Sequence, residues 1–322
     1  MQSALDIIGD ELKAVEQQFR AYLESDVPLI RMVGEYVLSS GGKRVRPALL
    51  LLAGRLCAAE TGKMVTMAGV VEFIHTATLL HDDVVDSATL RRGMVSANTK
   101  WGNEASVLIG DFLFSKSFSL MVDVGSIDIL RVMAGATTRI AEGEVKQMLC
   151  TGQIDLGEEH YIDVVRSKTA VLMSAACETG AILGDADPER RQALAGFGMY
   201  LGTAFQLMDD ALDYTASEAE FGKSIGHDLQ EGKITLPLIH TLRNCTDQEQ
   251  CTIVRVVEQD EMLPVDFSAV WTLVERYNGI GYTIDRARQY VDLCRSQLEL
   301  FEDCPARQAL SELAEYVITR SR

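Results

Sequence analysis

Proline is scarce in this chain, with six in 322 residues. Proline breaks helix interiors, so long proline-poor stretches leave room for long helices. Aromatics are also few, 7% against 47% hydrophobic residues overall, so the core must be mainly aliphatic. Sustained apolar/polar alternation is missing, which excludes an extended half-buried sheet. No Pro- or Ser-rich linker, low-complexity segment or short-period repeat divides the sequence. We therefore read residues 1–322 as one all-α domain. The seven cysteines (57, 150, 177, 245, 251, 294, 304) are odd in number and form no CxxC pair. Scattered in this way they read as reduced thiols in a cytoplasmic protein, several of them buried. Basic excess is missing: the net charge is −17 and the pI about 4.7. Such a surface excludes general nucleic-acid binding. The opening residues lack a basic segment followed by an apolar block, and no uninterrupted apolar run reaches membrane-spanning length.

What is present is helical periodicity almost throughout. Leu5, Ile8, Leu12, Val15 and Phe19 mark a first amphipathic helix. Leu29, Ile30, Val33, Val37 and Leu38 mark a second, ending at Gly41-Gly42. Pro47 suits the first turn of a third. Further helices are predicted over 65–86, 104–122, 126–148, 159–183 and 188–213, with a polar loop at 87–103 and breaks at 152–157 and 221–232.

Two of these helices end in the same pattern, DDxxD. The first is Asp82-Asp83-Val84-Val85-Asp86 and the second Asp209-Asp210-Ala211-Leu212-Asp213. At 100° per residue Asp82 and Asp86 share a stripe with Thr78 and His75, and Asp83 is swung aside. Asp209 and Asp213 repeat the arrangement, with Gln206 beside them. Like charges four apart destabilise a bare helix by a few tenths of a kcal/mol. A bound divalent cation offsets that, and Mg²⁺ is usually held by one or two carboxylates plus substrate phosphates. A solvated acidic face is the plain alternative, which the duplication disfavours.

An anionic ligand in so acidic a chain needs local cations. Gly41-Gly42-Lys43-Arg44-Val45-Arg46-Pro47 places three beside a diglycine at a helix start, and Arg91-Arg92 lies just past the first acidic motif. Glycine permits close backbone approach, and Lys and Arg suit phosphate capture.

Gly41–Pro47, His75–Arg92, Gly143-Glu144, Lys168-Thr169, Gly202–Asp213 and Gly222–Pro237 together resemble the trans-isoprenyl diphosphate synthases. The likeness is strongest over 25–240. The stretch Glu72–Asp86 is most similar to the bacterial octaprenyl-forming branch, whose product becomes a quinone side chain. The resemblance implies a large all-α bundle of the isoprenoid synthase type around a central cavity, and a homodimer. It implies that Lys43, Arg46, His75 and Arg92 hold isopentenyl diphosphate and that Arg91 contacts the allylic diphosphate. Asp82 and Asp86 would ligate two Mg²⁺ ions and Asp209 a third. Lys168, Thr169, Gln206, Lys223 and Lys233 would line the allylic pocket. Ile234 departs from the family, which usually has proline there, and is expected to alter a helix start.

The implied reaction is sequential, head-to-tail, Mg²⁺-dependent condensation of isopentenyl diphosphate onto an allylic primer such as farnesyl diphosphate. Product release would involve transient membrane contact. Small Ala77 and Thr78, below the first acidic motif, would let the product tunnel continue towards Phe118, Met121, Leu130 or Met133. Competing readings are a shorter- or longer-chain synthase making geranylgeranyl or solanesyl diphosphate, a class I terpene cyclase or head-to-head synthase, and a regulatory subunit. A cyclase needs no isopentenyl clamp, and a regulatory subunit would be expected to lose motifs that are intact here. His81 is read as structural, because Mg²⁺ prefers oxygen ligands.

Overall fold

The computed structural model describes residues 6–215, 226–259 and 263–320. Among these the chain is helical apart from one minimal β-ladder. The first half runs α1 (Gly9–Tyr22), α2 (Pro28–Ser39), α3 (Val45–Leu56), α4 (Thr61–Val85), β1 (Leu90–Arg91), β2 (Met94–Val95), α5 (Ala97–Trp101), α6 (Asn103–Val124) and α7 (Ile127–Cys150). Then come α8 (Glu158–Val165), a π-helical turn (Arg166–Ala170), α9 (Val171–Leu183), α10 (Pro188–Asp213) and α11 (His227–Gln230). The chain closes with α12 (Leu236–Asn244), α13 (Asp247–Val257), α14 (Pro264–Arg276), α15 (Gly279–Gln297) and α16 (Pro305–Thr319). The periodic segments of the sequence are thus helices, with bounds shifted by a few residues. The expected loop at 87–103 instead holds the β-ladder and α5. The expected helix over 159–183 is interrupted by the π turn.

Contacts divide the chain into two compact units. The first comprises 1–137, 172–198 and 297–313. Its centre is α4, which packs against α1, α3 and α6. Apolar residues surround α4, so Met67, Val70, Phe73, Ile74, Ala77 and Leu80 are all buried. An all-round apolar helix must be enclosed by others. Phe73 stacks on Phe19 of α1, ring centroids 4.1 Å apart. Leu49–Ala53 of α3 are wholly buried. Gly180 of α9 lets α3 approach: a Cβ there would lie 2.7 Å from Leu50 O and from Gly54 N.

By length and composition α4 and α6 could each cross a bilayer, because a charge or two does not spoil an otherwise apolar helix. The apolar window of α4 is 72% buried in the protein and that of α6 only 44%. Leu108, Phe118 and Val122 of α6 are exposed.

The second unit comprises 138–171, 199–296 and 314–322, described to residue 320. Here α12 packs on α8 and α14, and α13 on α14. Glu158 at the start of α8 accepts from Tyr282 at 2.6 Å and pairs with Arg286 at 2.9 Å and Arg243 at 3.4 Å. One carboxylate thereby ties α8, α12 and α15 together.

Candidate active site

In the first unit, the cations singled out in the sequence converge. Arg44 opens α3 in the left-handed conformation (φ 48°) and donates to buried Glu72 of α4. Arg46, in the first turn of α3, lies with Nη1 3.2 Å from His75 Nε2. The guanidinium can only donate, so His75 accepts at Nε2 and carries its proton on Nδ1. β1 and β2 are joined by Arg92-Gly93, both with positive φ (52° and 77°), as a tight two-residue hairpin turn of type I′ requires. The turn sets Arg92 against Gly42, where an added Cβ would lie 2.8 Å from Nη1. His75 keeps part of its surface open, yet burial of its ring, followed by Arg46, Arg92, Arg91 and Arg44, holds it well below 6.5. The ring is neutral at pH 7 within a strongly positive cluster. Lys43 beside it is exposed. Such a cluster is suited to a diphosphate.

The first acidic motif closes α4. Asp83 is buried and paired with Arg91 at 2.6 Å, so this carboxylate is structural. Asp82 and Asp86 are partly exposed, one turn apart. In the second motif the roles divide as well. Asp213 is buried and accepts from the Asp228 amide at 3.2 Å, whereas Asp209 is partly exposed and pairs with Arg320 at 2.8 Å. Among the described residues no three His, Cys, Asp or Glu side chains converge as a closed metal site. Partly exposed carboxylates on open helix ends fit an ion that keeps waters and bridges to substrate phosphate, which is how Mg²⁺ is bound. The hydrogen-bonding atoms on offer, all carboxylate oxygens, suit it.

The second unit encloses a cavity of about 180 Å³. Lys168, Thr169, Gln206 and Lys233, all predicted, line it with Tyr161, Asp210 and Asp228. Lys168 and Thr169 sit on the π turn. Two glycines admit that turn: a Cβ on Gly143 of α7 would lie 2.8 Å from Ser167 Cβ and 2.9 Å from Lys168 N, and one on Gly202 of α10 would lie 2.5 Å from Ala170 Cα. Glu144 pairs with Lys168 at 2.6 Å. Lys233 donates to Glu231 at 2.7 Å. Thr169 Oγ1 donates to Gln206 Oε1 at 3.1 Å, and Gln206 Nε2 to Asp210 Oδ1 at 2.8 Å. Tyr161 donates to the other Asp210 oxygen. Burial, and next the Asp228 carboxylate, push Asp210 well above the usual carboxylate range, against the hydrogen bonds from Tyr161 and Gln206. Ile234 precedes the Thr235 N-cap and lines the cavity. Lys223 lies outside the described residues.

The sequence profile of the polyprenyl synthetases matches residues 27–272. The chain belongs to the polyprenyl synthetase family. It is 42% identical over 320 residues to the octaprenyl diphosphate synthase of Escherichia coli (strain K12), covering 99% of this chain and 97% of that one. It is 37% identical to the all-trans-nonaprenyl-diphosphate synthase (geranyl-diphosphate specific) of Rhodobacter capsulatus, covering 99% and 98%. Among solved structures, a decaprenyl diphosphate synthase from Rhodobacter capsulatus aligns with a TM-score of 0.95 at 40% identity, over 99% of this chain and 98% of that one. A polyprenyl synthase from Caulobacter crescentus, complexed with calcium and isoprenyl diphosphate, gives 0.95 at 38% identity over 99% and 97%. This polyprenyl synthetase is thus an all-α bundle of the isoprenoid synthase fold and a trans-prenyltransferase, and family membership implies Mg²⁺-dependent catalysis.

Several residues of the synthetase's site escaped the sequence. Gly143 was visible as part of a motif, but its packing role was not: it lies inside α7, where it admits the close approach of the π turn. Tyr161 is 49 residues from Asp210 and carries no local pattern. Arg320 is 111 residues from Asp209. His81 Nε2 lies 3.2 Å from Val107 O and 3.6 Å from Asp111 Oδ1, with the ring centroid 6.0 Å from that of Phe114. Ala77 is fully buried, and Thr78 returns its hydroxyl to His75 O at 2.8 Å. Met121 and Met133 are buried, and Phe118 is exposed.

Proposed function

We propose that the chain is a long-chain prenyltransferase of the octaprenyl diphosphate synthase type. It would extend an allylic primer such as farnesyl diphosphate with isopentenyl diphosphate to supply a quinone side chain. The observation that carries this reading is the gathering of Arg44, Arg46, Arg91 and Arg92 around His75. A cyclase acting on one allylic diphosphate has no use for that second anion pocket.

Lys43, Arg46, His75 and Arg92 would hold isopentenyl diphosphate, with neutral His75 bonding a phosphate oxygen without adding charge. Arg91, Lys168, Lys223 and Lys233 would grip the allylic diphosphate. Asp82, Asp86 and Asp209 would hold Mg²⁺, three ions once substrate is bound. When present, the metal withdraws charge from the leaving diphosphate, as clustered cations do in a site aimed at developing charge. Cleavage of the allylic C–O bond sends its electron pair to the diphosphate and leaves an allylic cation. Thr169 and Gln206 face that cation with oxygens. The isopentenyl double bond supplies the new C–C bond, and the proton lost passes to the released pyrophosphate. No protein base is required.

Residues 1–322 would act as one catalytic domain in the cytoplasm. A second copy would cover the exposed Leu108, Phe118 and Val122 of α6 in an isologous dimer. The product would leave through transient contact with a membrane. Incubation with farnesyl diphosphate, labelled isopentenyl diphosphate and Mg²⁺, followed by sizing of the product, tests the proposal. An octaprenyl product is expected. A cyclised hydrocarbon, or no incorporation of label, would refute it.

A further inference from the structure

The hydrogen-bonded chain Tyr161–Asp210–Gln206–Thr169 runs along the lining of the cavity that also holds Lys168 and Lys233. Its members come from three elements of the second unit: Tyr161 from α8, Thr169 from the π turn, and Asp210 and Gln206 from α10. Tyr161 and Asp210 are buried, and Gln206 and Thr169 reach the cavity. The order of donors is fixed along the chain. Tyr161 donates to Asp210 Oδ2, Gln206 Nε2 donates to Asp210 Oδ1 at 2.8 Å, and Thr169 donates to Gln206 Oε1 at 3.1 Å.

An amide is nearly symmetric in shape but opposite in polarity at its two ends. Turned one way, Gln206 offers an oxygen to the cavity. Turned the other way, it offers an N–H₂ group, which repels a cation. Thr169 cannot decide between them, because a hydroxyl both donates and accepts. The Asp210 oxygen decides when that carboxylate is ionised, since it then faces the amide only as an acceptor. That oxygen is aimed by whatever holds its twin, and the group there is the Tyr161 hydroxyl.

We propose that Tyr161 is a positioning residue for prenyl transfer: through Asp210 it fixes the Gln206 amide with its oxygen towards the reacting allylic carbon. The inference rests on the prenyltransferase reading above. Without the hydroxyl, Asp210 swings and the amide samples both orientations. The allylic cation then survives less well between C–O cleavage and C–C formation. Water captures part of it, forming a C–O bond and passing its proton to the pyrophosphate, so that prenyl alcohol accumulates.

The test is a cycle of Tyr161→Phe, Gln206→Ala and the double variant in the full chain. Turnover, both KM values and the ratio of prenyl alcohol to elongated product are measured, with circular dichroism on each. Tyr161→Phe is expected to lower kcat about tenfold, leave both KM values within about twofold, and raise the alcohol share. The double variant should be no slower than Gln206→Ala, because residues acting through one another are not additive. Multiplicative losses in the double variant would overturn the inference. So would an unchanged alcohol share, or a Tyr161→Phe chain that no longer folds, since the hydroxyl would then be structural. An unmodified chain inactive on both prenyl substrates would instead refute the prenyltransferase reading, so the two failures are distinguishable.

Discussion

Arg320 holds Asp209 from the far end of the chain. Its Nη2 donates to Asp209 Oδ1 and to Phe205 O, each at 2.8 Å, and its guanidinium lies 3.8 Å from the Phe205 ring centroid. The arginine is buried while its carboxylate partner keeps part of its surface open. One Asp209 oxygen is therefore fixed by a side chain that has no sequence proximity to it.

Removing that hold should be felt in stability. Hydrogen bonds to charged groups contribute roughly 1.5–3 kcal/mol each, so Arg320→Ala is expected to cost about 2 kcal/mol. Arg320→Lys should recover only part, because lysine lacks the planar fork and the stacking. Urea unfolding checks this. An unchanged midpoint would mean that solvent already screens the pair.

The π turn makes a second prediction. Alanine inside a helix is ordinarily favoured over glycine by about 1 kcal/mol. At Gly143 the added methyl would press on Ser167 Cβ and Lys168 N at 2.8 and 2.9 Å. Overpacking of this kind costs roughly 1–3 kcal/mol, so Gly143→Ala should destabilise and should also shift Lys168, lowering turnover. Melting temperature and kcat report the two effects. A more stable, fully active variant would show that the turn yields freely.

Metal dependence is the third. Chelation with EDTA should abolish prenyl transfer and Mg²⁺ should restore it. Asp82→Ala and Asp209→Ala should each lower kcat by roughly 10²–10³, the loss typical when one stabiliser of developing charge is removed. The helical circular dichroism should persist. Full activity in either variant would remove that residue from the metal assignment.

The fourth concerns product length. Ala77 is buried one turn below Asp82 on α4. If the product passes it, Ala77→Tyr should shorten the chain to roughly three or four isoprene units, a tunnel cut within one or two helical turns. Reversed-phase sizing of the products decides. Full-length product at normal yield would place the tunnel elsewhere.

The fifth follows from His75. Its folded-state pKa is depressed below the ordinary 6.5, by burial first and by four arginines next. Above 6.5 the ring is neutral whether folded or not. As pH falls below that value the unfolded chain takes up the proton and the folded one does not, so stability declines until the depressed folded value is reached. Melting temperature should therefore fall between pH 7.5 and 5.5, and His75→Gln should flatten the slope. His240, also depressed by burial, adds to that slope, whereas Asp210, raised by burial, opposes it.

The sequence by itself determined the helices and the reacting groups. A long apolar run marked α4 and helical periodicity marked α10, because both are local properties of the chain. The acidic motifs, Lys43–Arg46, Arg91-Arg92 and Lys168-Thr169 were visible for the same reason: each is a short contiguous pattern. Only the tertiary structure decided which members of those patterns are buried. Within one DDxxD, Asp83 is taken up by Arg91, and within the other Asp210 is taken up by Tyr161 and Gln206. Tyr161 and Arg320 carry no signal of their own, since each acts on a residue from a distant stretch of chain. Burial and pairing depend on what packs alongside, and a linear pattern does not contain its neighbours in space.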